Sequence, residues 1–504
     1  MLVYGDRSET VEPAALLTTI NQGLAEIRTI PAGVQRHSRL IAALIETGRL
    51  LQGVEDSGTP GGEQLNLFLT RLASAALRSW DSRFLTFGDL PAIPAIDDLP
   101  EELALREPEG FAYYAVYPEA YADAARRLKL HAAPRVIGIR SIGTTLGAIV
   151  AAALGAPAPV TVRPHGDPFA RQVRLPDSAL EGDPHFVIVD EGPGLSGSSF
   201  GAVARWLEER GVPLERIAFL PSHSGDAGPE ASKEDRRRWK RSQRVAAELD
   251  SHWLVSRFGQ LDRLHGGEQL KFLAGEGQDR FLLKFAGLGR FGERKLEMAQ
   301  ALHSAALGPE PVGLFHGFLA ERWYGAERPL GAADRPVTEI GHYIATRASL
   351  FPADHANGAS IDELAQMARR NVSLALGADM AARVPAPLAS TSRRIRTDNR
   401  LDRNKWLRLA DGRLLKTDAL DHHQSHDLVG CQNAAWDVVG AIVEFDLNQA
   451  EAAQLIDESG PAVDRDLIDF FLIAYPSFRL GQAVLRSGNE ENGARYRGHL
   501  QARL

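Results

Sequence analysis

Apolar residues recur at three- and four-residue spacing in "AALLTTINQGLAEIRTI" and "SRLIAALIETGRLLQGVE", which predicts helices across residues 14–52. "NLFLTRLASAALRSW" keeps the same period, and the Pro-rich "GDLPAIPAIDDLPEEL" (88–103) then predicts a connector. From about residue 110 the pattern changes to short β-branched runs: "RVIGI" (135–139), "APVTV" (158–162), "HFVIVD" (185–190) and "RIAFLPS" (216–222). The first and third lead directly into helical segments, "GTTLGAIVAAALGA" and "SFGAVARWLEERG". Strands alternating with helices predict a parallel sheet that binds ligands at the carboxyl ends of its strands.

A third pattern follows the basic run "KEDRRRWKRSQR" (233–244), which reads as a solvated helix face or as a site for a polyanionic ligand. "GEQLKFLAGEGQDRFLLKFAG" (267–287) predicts a two-stranded hairpin, "GERKLEMAQALHSAAL" a helix and "EPVGLFHGFLAERWYG" two more short strands. Beyond residue 360 the period is helical, apart from "NKWLRLADGRLLKTD" (404–418), a hairpin turned at Asp411-Gly412. The expected fold class is therefore α/β plus α+β. The expected organisation is a helical region (1–108), a parallel-sheet domain (109–225), a basic linker or helix (226–262) and a final mixed domain (263–504).

Composition narrows the function classes. With 504 residues and 44% hydrophobic content, the chain can bury several cores. A net charge of −8 argues against a dedicated nucleic-acid or anionic-membrane binder. The single cysteine, Cys431, excludes an internal disulfide and a cysteine-based zinc site. "MLVYGDRSET" has no basic-then-apolar signal pattern, and the apolar runs are too short to span a bilayer, so the expected setting is cytoplasmic.

Candidate chemistry concentrates in "HFVIVDEGPGLSGSSF" (185–200), an apolar strand ending in two acids and a loop of glycine and serine. Carboxylates at a strand end accept hydrogen bonds from the vicinal hydroxyls of a ribose. A small-residue turn opening a helix suits phosphate, because backbone donors and the helix dipole both point at it. Strand, two acids, short loop, Ser/Gly turn and helix together resemble the phosphoribosyl-diphosphate motif of type I phosphoribosyltransferases over roughly residues 110–225. The resemblance implies that Asp190 and Glu191 steady the ribose and that Ser196, Gly197, Ser198 and Ser199 hold its 5-phosphate. In "VIGIRSIGTTLGAIVAAAL" (136–154), Arg140, Ser141 and Gly143 match the family's diphosphate loop, which acts with Mg²⁺. The segment from Asp190 to Ser199 carries one residue more than the family pattern, in "GPGL", and its second acid is Glu. Arg163, His165 and Arg171 are candidates to meet substrate or diphosphate, or are exposed strand-end charges. The Tyr-rich "EGFAYYAVYPEAY" (109–121) is a candidate for base stacking or for core.

In the last region Lys284 ends a strand just ahead of the helix carrying Glu293 and Glu297. Asp398, Asn404 and Asp418 follow in order around the second hairpin. This set resembles the aminoglycoside- and choline-kinase-like phosphotransferases. The resemblance implies a two-lobed kinase-like fold, with Lys284 and Glu297 at the nucleotide, Asp398 as base, Asn404 and Asp418 as Mg²⁺ ligands, and a buried, structural Asp437. The family's His-Gly-Asp is replaced by Arg396-Thr397-Asp398, and Asn404 comes six positions after Asp398 where five is usual. "DHHQSHD" (421–427) raises a separate metal reading through His422, His426 and Asp418.

Together these resemblances imply a bifunctional enzyme of nucleotide-like small metabolites. One part transfers ribose 5-phosphate from phosphoribosyl diphosphate, or runs the reverse; the other is an ATP- and Mg²⁺-dependent phosphotransferase. The rival reading is a regulator that senses phosphoribosyl diphosphate or nucleotide with both folds and performs no chemistry.

Overall fold

The computed structural model describes residues 1–5, 8–96, 98–265, 269–277, 279–325, 327–354, 357–386, 392–424, 426–485 and 490–504. Gly267, Glu268 and Gln278 of the first hairpin segment, and Ser425 of the His-rich stretch, lie outside the described residues. The chain divides into two compact units, one of residues 7–294 with 313–320, the other of residues 1–6, 295–312 and 321–504. They are called here the sheet unit and the helical unit.

The sheet unit opens with the helices Pro13–Ile27, Val34–Ser57 and Gly62–Asp81. Pro13 starts the first, where a missing N–H costs nothing, and Gly58 ends the second at φ 70°, a conformation that L side chains adopt poorly. Their apolar stripes bury Leu40, Leu44, Leu51, Leu65, Leu69 and Leu72 almost completely, so the period read from sequence is the core-facing period. The Pro-rich stretch forms no regular element among its described residues before the strand Leu103–Arg106, which pairs antiparallel with Ser8–Val11.

The four predicted strands are present, at Pro134–Ile139, Val160–Val162, His185–Val189 and Ile217–Leu220. They lie in one five-stranded parallel sheet with Pro134–Ile139 second and His185–Val189 in the middle. Gly138 and Val189 are register partners, so the loops starting at Arg140 and Asp190 leave the same edge side by side. The fifth strand, Gln243–Arg244, comes from the basic run, whose helix spans Lys233–Arg241. Arg237 and Arg238 bond Glu208, Arg241 bonds Glu215, and Trp239 is buried against Phe219. Arg237, Arg238 and Arg241 are thus paired with acids of their own unit, while Arg236 donates to the Pro229 and Ala231 carbonyls.

A second sheet of this unit pairs Leu261–Leu264, Lys271–Ala274 and Phe281–Phe285 in antiparallel register, and its order continues through the strands that carry residues 313–320. The Tyr-rich segment forms the helices Glu109–Ala112 and Pro118–Arg126, with Phe111, Tyr117 and Tyr121 buried. These aromatics are core, not an open base platform.

The helical unit is built on Val337–Leu350, Ile361–Leu376, Ala435–Glu444, Gln449–Glu458, Ile468–Leu485 and Glu490–Gln501. Reciprocal caps start two of them: Ser360 with Glu363, and Asn448 with Glu451. The predicted hairpin is Trp406–Arg408 against Leu414–Lys416, antiparallel, with Gly412 at φ 87° in the turn. Among the described residues no helix is long and apolar enough to cross a membrane.

Candidate functional site

At the carboxyl edge of the parallel sheet, Asp190 Oδ1 accepts from the Glu191 amide at 2.8 Å, while Tyr121 Oη donates to both backbone carbonyls. The Ser222 amide donates to the Glu191 carbonyl, tying the next strand's loop to the pair. Burial pushes the Asp190 carboxyl up to about 7, against the pull of the Glu191 amide and Arg163. Burial also pushes Glu191 up to about 8, helped by Asp190 and Glu109 and opposed by the Gly110 amide. Two acidic side chains held above their ordinary range by burial at one strand end mark a candidate functional site.

The neighbouring basic groups are already engaged. Arg140 Nη1 donates to Asp56 Oδ1 at 3.0 Å, and Arg163 Nε reaches both Asp56 oxygens at 3.2 and 3.1 Å. Arg163 also donates to Gln52 at 2.7 Å. Asp56 closes the helix Val34–Ser57, so an N-terminal helix sets an acid on the two guanidiniums expected to take diphosphate. Ser141 is the N-cap residue of Ile142–Leu154. Gly143 has a packing reason to be glycine: a Cβ there would stand 2.6 Å from the Val189 carbonyl oxygen. Of the other two candidates, Arg171 donates to the Gly166 carbonyl and His165 bridges Gln172 through the backbone, which holds their loop in shape.

In the serine turn, the hydroxyls of Ser196 and Ser198 both donate to the Pro168 carbonyl, at 2.9 and 2.6 Å. Gly197 precedes the helix Ser198–Glu208 at φ 64°, and Ser199 sits partly buried in its first turn. A Cβ on Gly197 would lie 2.4 Å from the Ala227 carbonyl oxygen. Gly197→Ala is therefore expected to destabilise the protein by about 1–3 kcal/mol, measured by urea unfolding, because both φ and space oppose the methyl.

In the helical unit Asp398 is 1% exposed. Its Oδ2 accepts from Tyr343 Oη at 2.5 Å and pairs with Lys416 Nζ at 3.1 Å. Asp437 fixes the loop from behind, accepting the Asp398 amide at 2.8 Å and the Asn399 amide at 2.9 Å. Burial first, then Asp398, push the Asp437 carboxyl up to about 6 against Arg347 and these amides. Asp437 is thus the buried structural aspartate expected from sequence. Arg347, fully buried, donates to Tyr343 Oη and to the Arg396, Thr397 and Ala419 carbonyls.

The His422 ring lies between the two aspartates, 3.9 Å from Asp398 and 4.0 Å from Asp418, beyond hydrogen-bond distance of either. Burial holds its imidazole down at about 4, so the ring is neutral at pH 7. Asp418, Asp421 and His422 place ligand atoms within 4.8 Å of one another. Asp418 also pairs with Lys405 at 2.8 Å. The predicted His422–His426 metal pair gives way to this grouping: residues 421–424 form a turn rather than a helix, and the His426 ring lies against Tyr4, 4.5 Å between centroids. Asn404 is exposed in the turn Arg403–Lys405.

Lys284 is buried at the end of Phe281–Phe285 and belongs to the sheet unit. Glu297 is exposed on Arg290–Ser304 and belongs to the helical unit. Glu293, on the same helix, bonds Arg39 at 2.6 Å.

Sequence reasoning missed Asp56, Tyr343, Arg347 and Lys416. Only Lys416 had a signal, a charge at an inward strand position two residues before Asp418. Lys416→Met should cost about 3–5 kcal/mol in urea unfolding, because it leaves the Asp398 charge buried without its cation. Combining it with Asp398→Asn should recover most of that loss.

No family model matches the chain, and no curated protein matches it. Solved structures do. A choline kinase from Streptococcus pneumoniae aligns at 14% identity over 50% of this chain and 97% of its own, with a TM-score of 0.34. A spectinomycin phosphotransferase, solved with ADP and spectinomycin, aligns at 11% over 50% and 94%, with a TM-score of 0.35. A putative aminoglycoside phosphotransferase from Ralstonia eutropha aligns at 10% over 49% and 94%, also with a TM-score of 0.35.

Proposed function

We propose that this protein is a bifunctional enzyme of nucleotide-like small metabolites. In this reading the helical unit supplies the acceptor-activating and metal-binding groups of an ATP-dependent phosphotransferase, and the sheet unit binds a ribose 5-phosphate diphosphate. The observation that carries the reading is the proximity of Asp398 and Asp418, twenty residues apart, to the neutral His422 ring at 3.9 and 4.0 Å, with the Asp398 backbone pinned by Asp437.

Asp418 and Asp421 are hard oxygen donors that fit Mg²⁺, with Asn404 assigned beside them by the kinase resemblance. Mg²⁺ bound there would neutralise charge on the transferring phosphate. Asp398 accepts the proton of the attacking hydroxyl, and Lys416 and Tyr343 hold its carboxylate in place and exclude water from behind it. Lys284 and Glu297 remain assigned to the nucleotide by the resemblance alone.

In the sheet unit Asp190 and Glu191 take the ribose hydroxyls and steady positive charge that develops on the ring. The amides of the serine turn hold the 5-phosphate, with Ser196 and Ser198 turning from Pro168 to the ligand. Arg140 and Arg163 take the diphosphate once Asp56 releases them. Asp56→Asn should therefore tighten binding of Mg-phosphoribosyl diphosphate about fivefold in calorimetry, since an exposed ion pair contributes up to about 1 kcal/mol. Weaker binding would mean that Asp56 orients the arginines for the ligand.

One observation favours a second reading. Asp398 is enclosed by a buried lysine and a tyrosine, as in a structural ion pair, which suits a protein that binds nucleotide without transferring phosphate. The two readings separate on Asp398→Asn: in the enzyme it removes turnover and leaves Mg-ATP affinity unchanged, whereas the sensor has no turnover to lose.

A further inference from the structure

A third group of chemistry-bearing side chains lies wholly within the sheet unit. His37 comes from the helix Val34–Ser57, Glu119 from Pro118–Arg126 and His316 from the turn between Pro311–Phe315 and Phe318–Arg322. All three are at most 2% exposed. His37 Nε2 and His316 Nε2 both approach Glu119 Oε1, at 2.6 and 2.9 Å, and the three residues place ligand atoms within 4.8 Å of one another. The second carboxylate oxygen, Glu119 Oε2, is buried with no hydrogen-bond partner among the described residues.

The far side of each ring is also fixed. His37 Nδ1 lies 2.9 Å from Ser79 Oγ, and His316 Nδ1 lies 2.9 Å from Ser38 Oγ. Tyr117 Oη donates to the His316 carbonyl at 2.7 Å, and Tyr117 and Trp253 flank the ring with centroids 5.2 Å away.

Neither proton placement satisfies this arrangement. If each ring gives its Nδ1–H to serine, two Nε2 lone pairs face a carboxylate and need a cation between them. If each ring carries Nε2–H instead, both protons go to one oxygen and the other stays buried and bare, a loss of about 1–3 kcal/mol. A metal ion resolves both problems: it takes the two Nε2 lone pairs and the carboxylate, while the serines accept from Nδ1 and fix the tautomer, the usual outer-shell partnership of a ligating histidine.

We propose that His37, Glu119 and His316 form a structural site for one divalent transition-metal ion, best suited to Zn²⁺. Two neutral imidazoles and one carboxylate are a borderline donor set, favouring Zn²⁺ over Mg²⁺ or Ca²⁺. Bidentate binding by Glu119 would give its buried Oε2 a partner and complete the shell. On binding, any proton on an Nε2 is released and both nitrogens bond the metal. The ion ties an N-terminal helix, the helix ahead of the parallel sheet and a turn near residue 316 into one unit. Full enclosure assigns the site to folding rather than to turnover.

The test is metal content of the full-length protein after exposure to Zn²⁺ and desalting, with Asp418→Asn as control for the other cluster. The site predicts about one equivalent of zinc, kept in Asp418→Asn and lost in His316→Gln. It also predicts visible d–d absorption on loading apoprotein with Co²⁺, and a lower melting temperature after chelation that Zn²⁺ restores. If His316→Gln does not fold, Ser38→Ala retains all three ligands and should bind zinc more weakly by about tenfold or more. Zinc below a tenth of an equivalent with no change in melting temperature would overturn the site, as would zinc unchanged in both His316→Gln and Ser38→Ala.

Discussion

Replacing Asp190 by Asn together with Glu191 by Gln is expected to abolish binding of phosphoribosyl diphosphate and, at the same time, to make the protein harder to unfold at pH 8. Both effects have one cause. The carboxyls sit at about 7 and about 8, above their ordinary values of 3.8 and 4.5, because burial disfavours their charged forms. A carboxyl whose folded value is raised keeps its full stability below the unfolded value and loses it as pH rises through the folded value. The wild type therefore carries a growing penalty from about pH 4.5 to pH 8, which the amides do not. The gain in stability of the double variant should be near zero at pH 4, and should reach a few kcal/mol at pH 8 after solvent screening of two partly exposed groups is allowed for. Urea unfolding at pH 4, 6 and 8 measures this, and calorimetry measures binding. A ligand that supplies hydroxyls and a cation should lower both values, so binding at pH 7 should release protons, detectable as buffer-dependent heat. A variant that is less stable at pH 8 and binds normally would mean that the pair is structural.

The second large effect is in the helical unit. Asp418→Asn should weaken Mg-ATP by about tenfold or more, because one hard anionic ligand of the cation becomes neutral. Asp398→Asn should leave that affinity within about twofold and reduce phosphoryl transfer by about 10²–10⁴-fold, the range of a lost general base. The amide keeps the side chain's shape but leaves the fully buried Lys416 ammonium without its anion, so a loss of stability of about 3–5 kcal/mol is expected, and turnover is compared where the variant is still folded. Unfolding curves of both variants check this.

How far the chain could be read in advance depended on how local each signal was. The β-branched runs before "IRSIGTT" and "DEGPGLSG" carry their own period and turn residues, so strands, helices and the shared sheet edge were all legible. The position of Asp190 and Glu191 at the carboxyl edge of the sheet was legible because strand, acids and turn are contiguous. Asp437 was legible from its place on a late helix. Asp56 was not: it meets Arg140 across 84 positions of sequence, and an acid at a helix end has many bland explanations. Tyr343 reaches Asp398 across 55 positions from the middle of an ordinary amphipathic helix. His37, Glu119 and His316 are single residues on three elements with no motif between them. The separate His422–His426 reading assumed a helix, whereas residues 422–424 lie in a turn and the His426 ring packs against Tyr4.

The account stands most directly on phosphoryl transfer. The decisive measurement is ³¹P NMR of Mg-ATP incubated with the full-length protein and a small-molecule cell extract as acceptor mixture, alongside Asp398→Asn. The enzyme reading predicts loss of the γ-phosphate signal, growth of ADP and a new phosphomonoester resonance with the wild type, and none of these with the variant. ATP left intact by the wild type, with its resonances broadened or not, would contradict it.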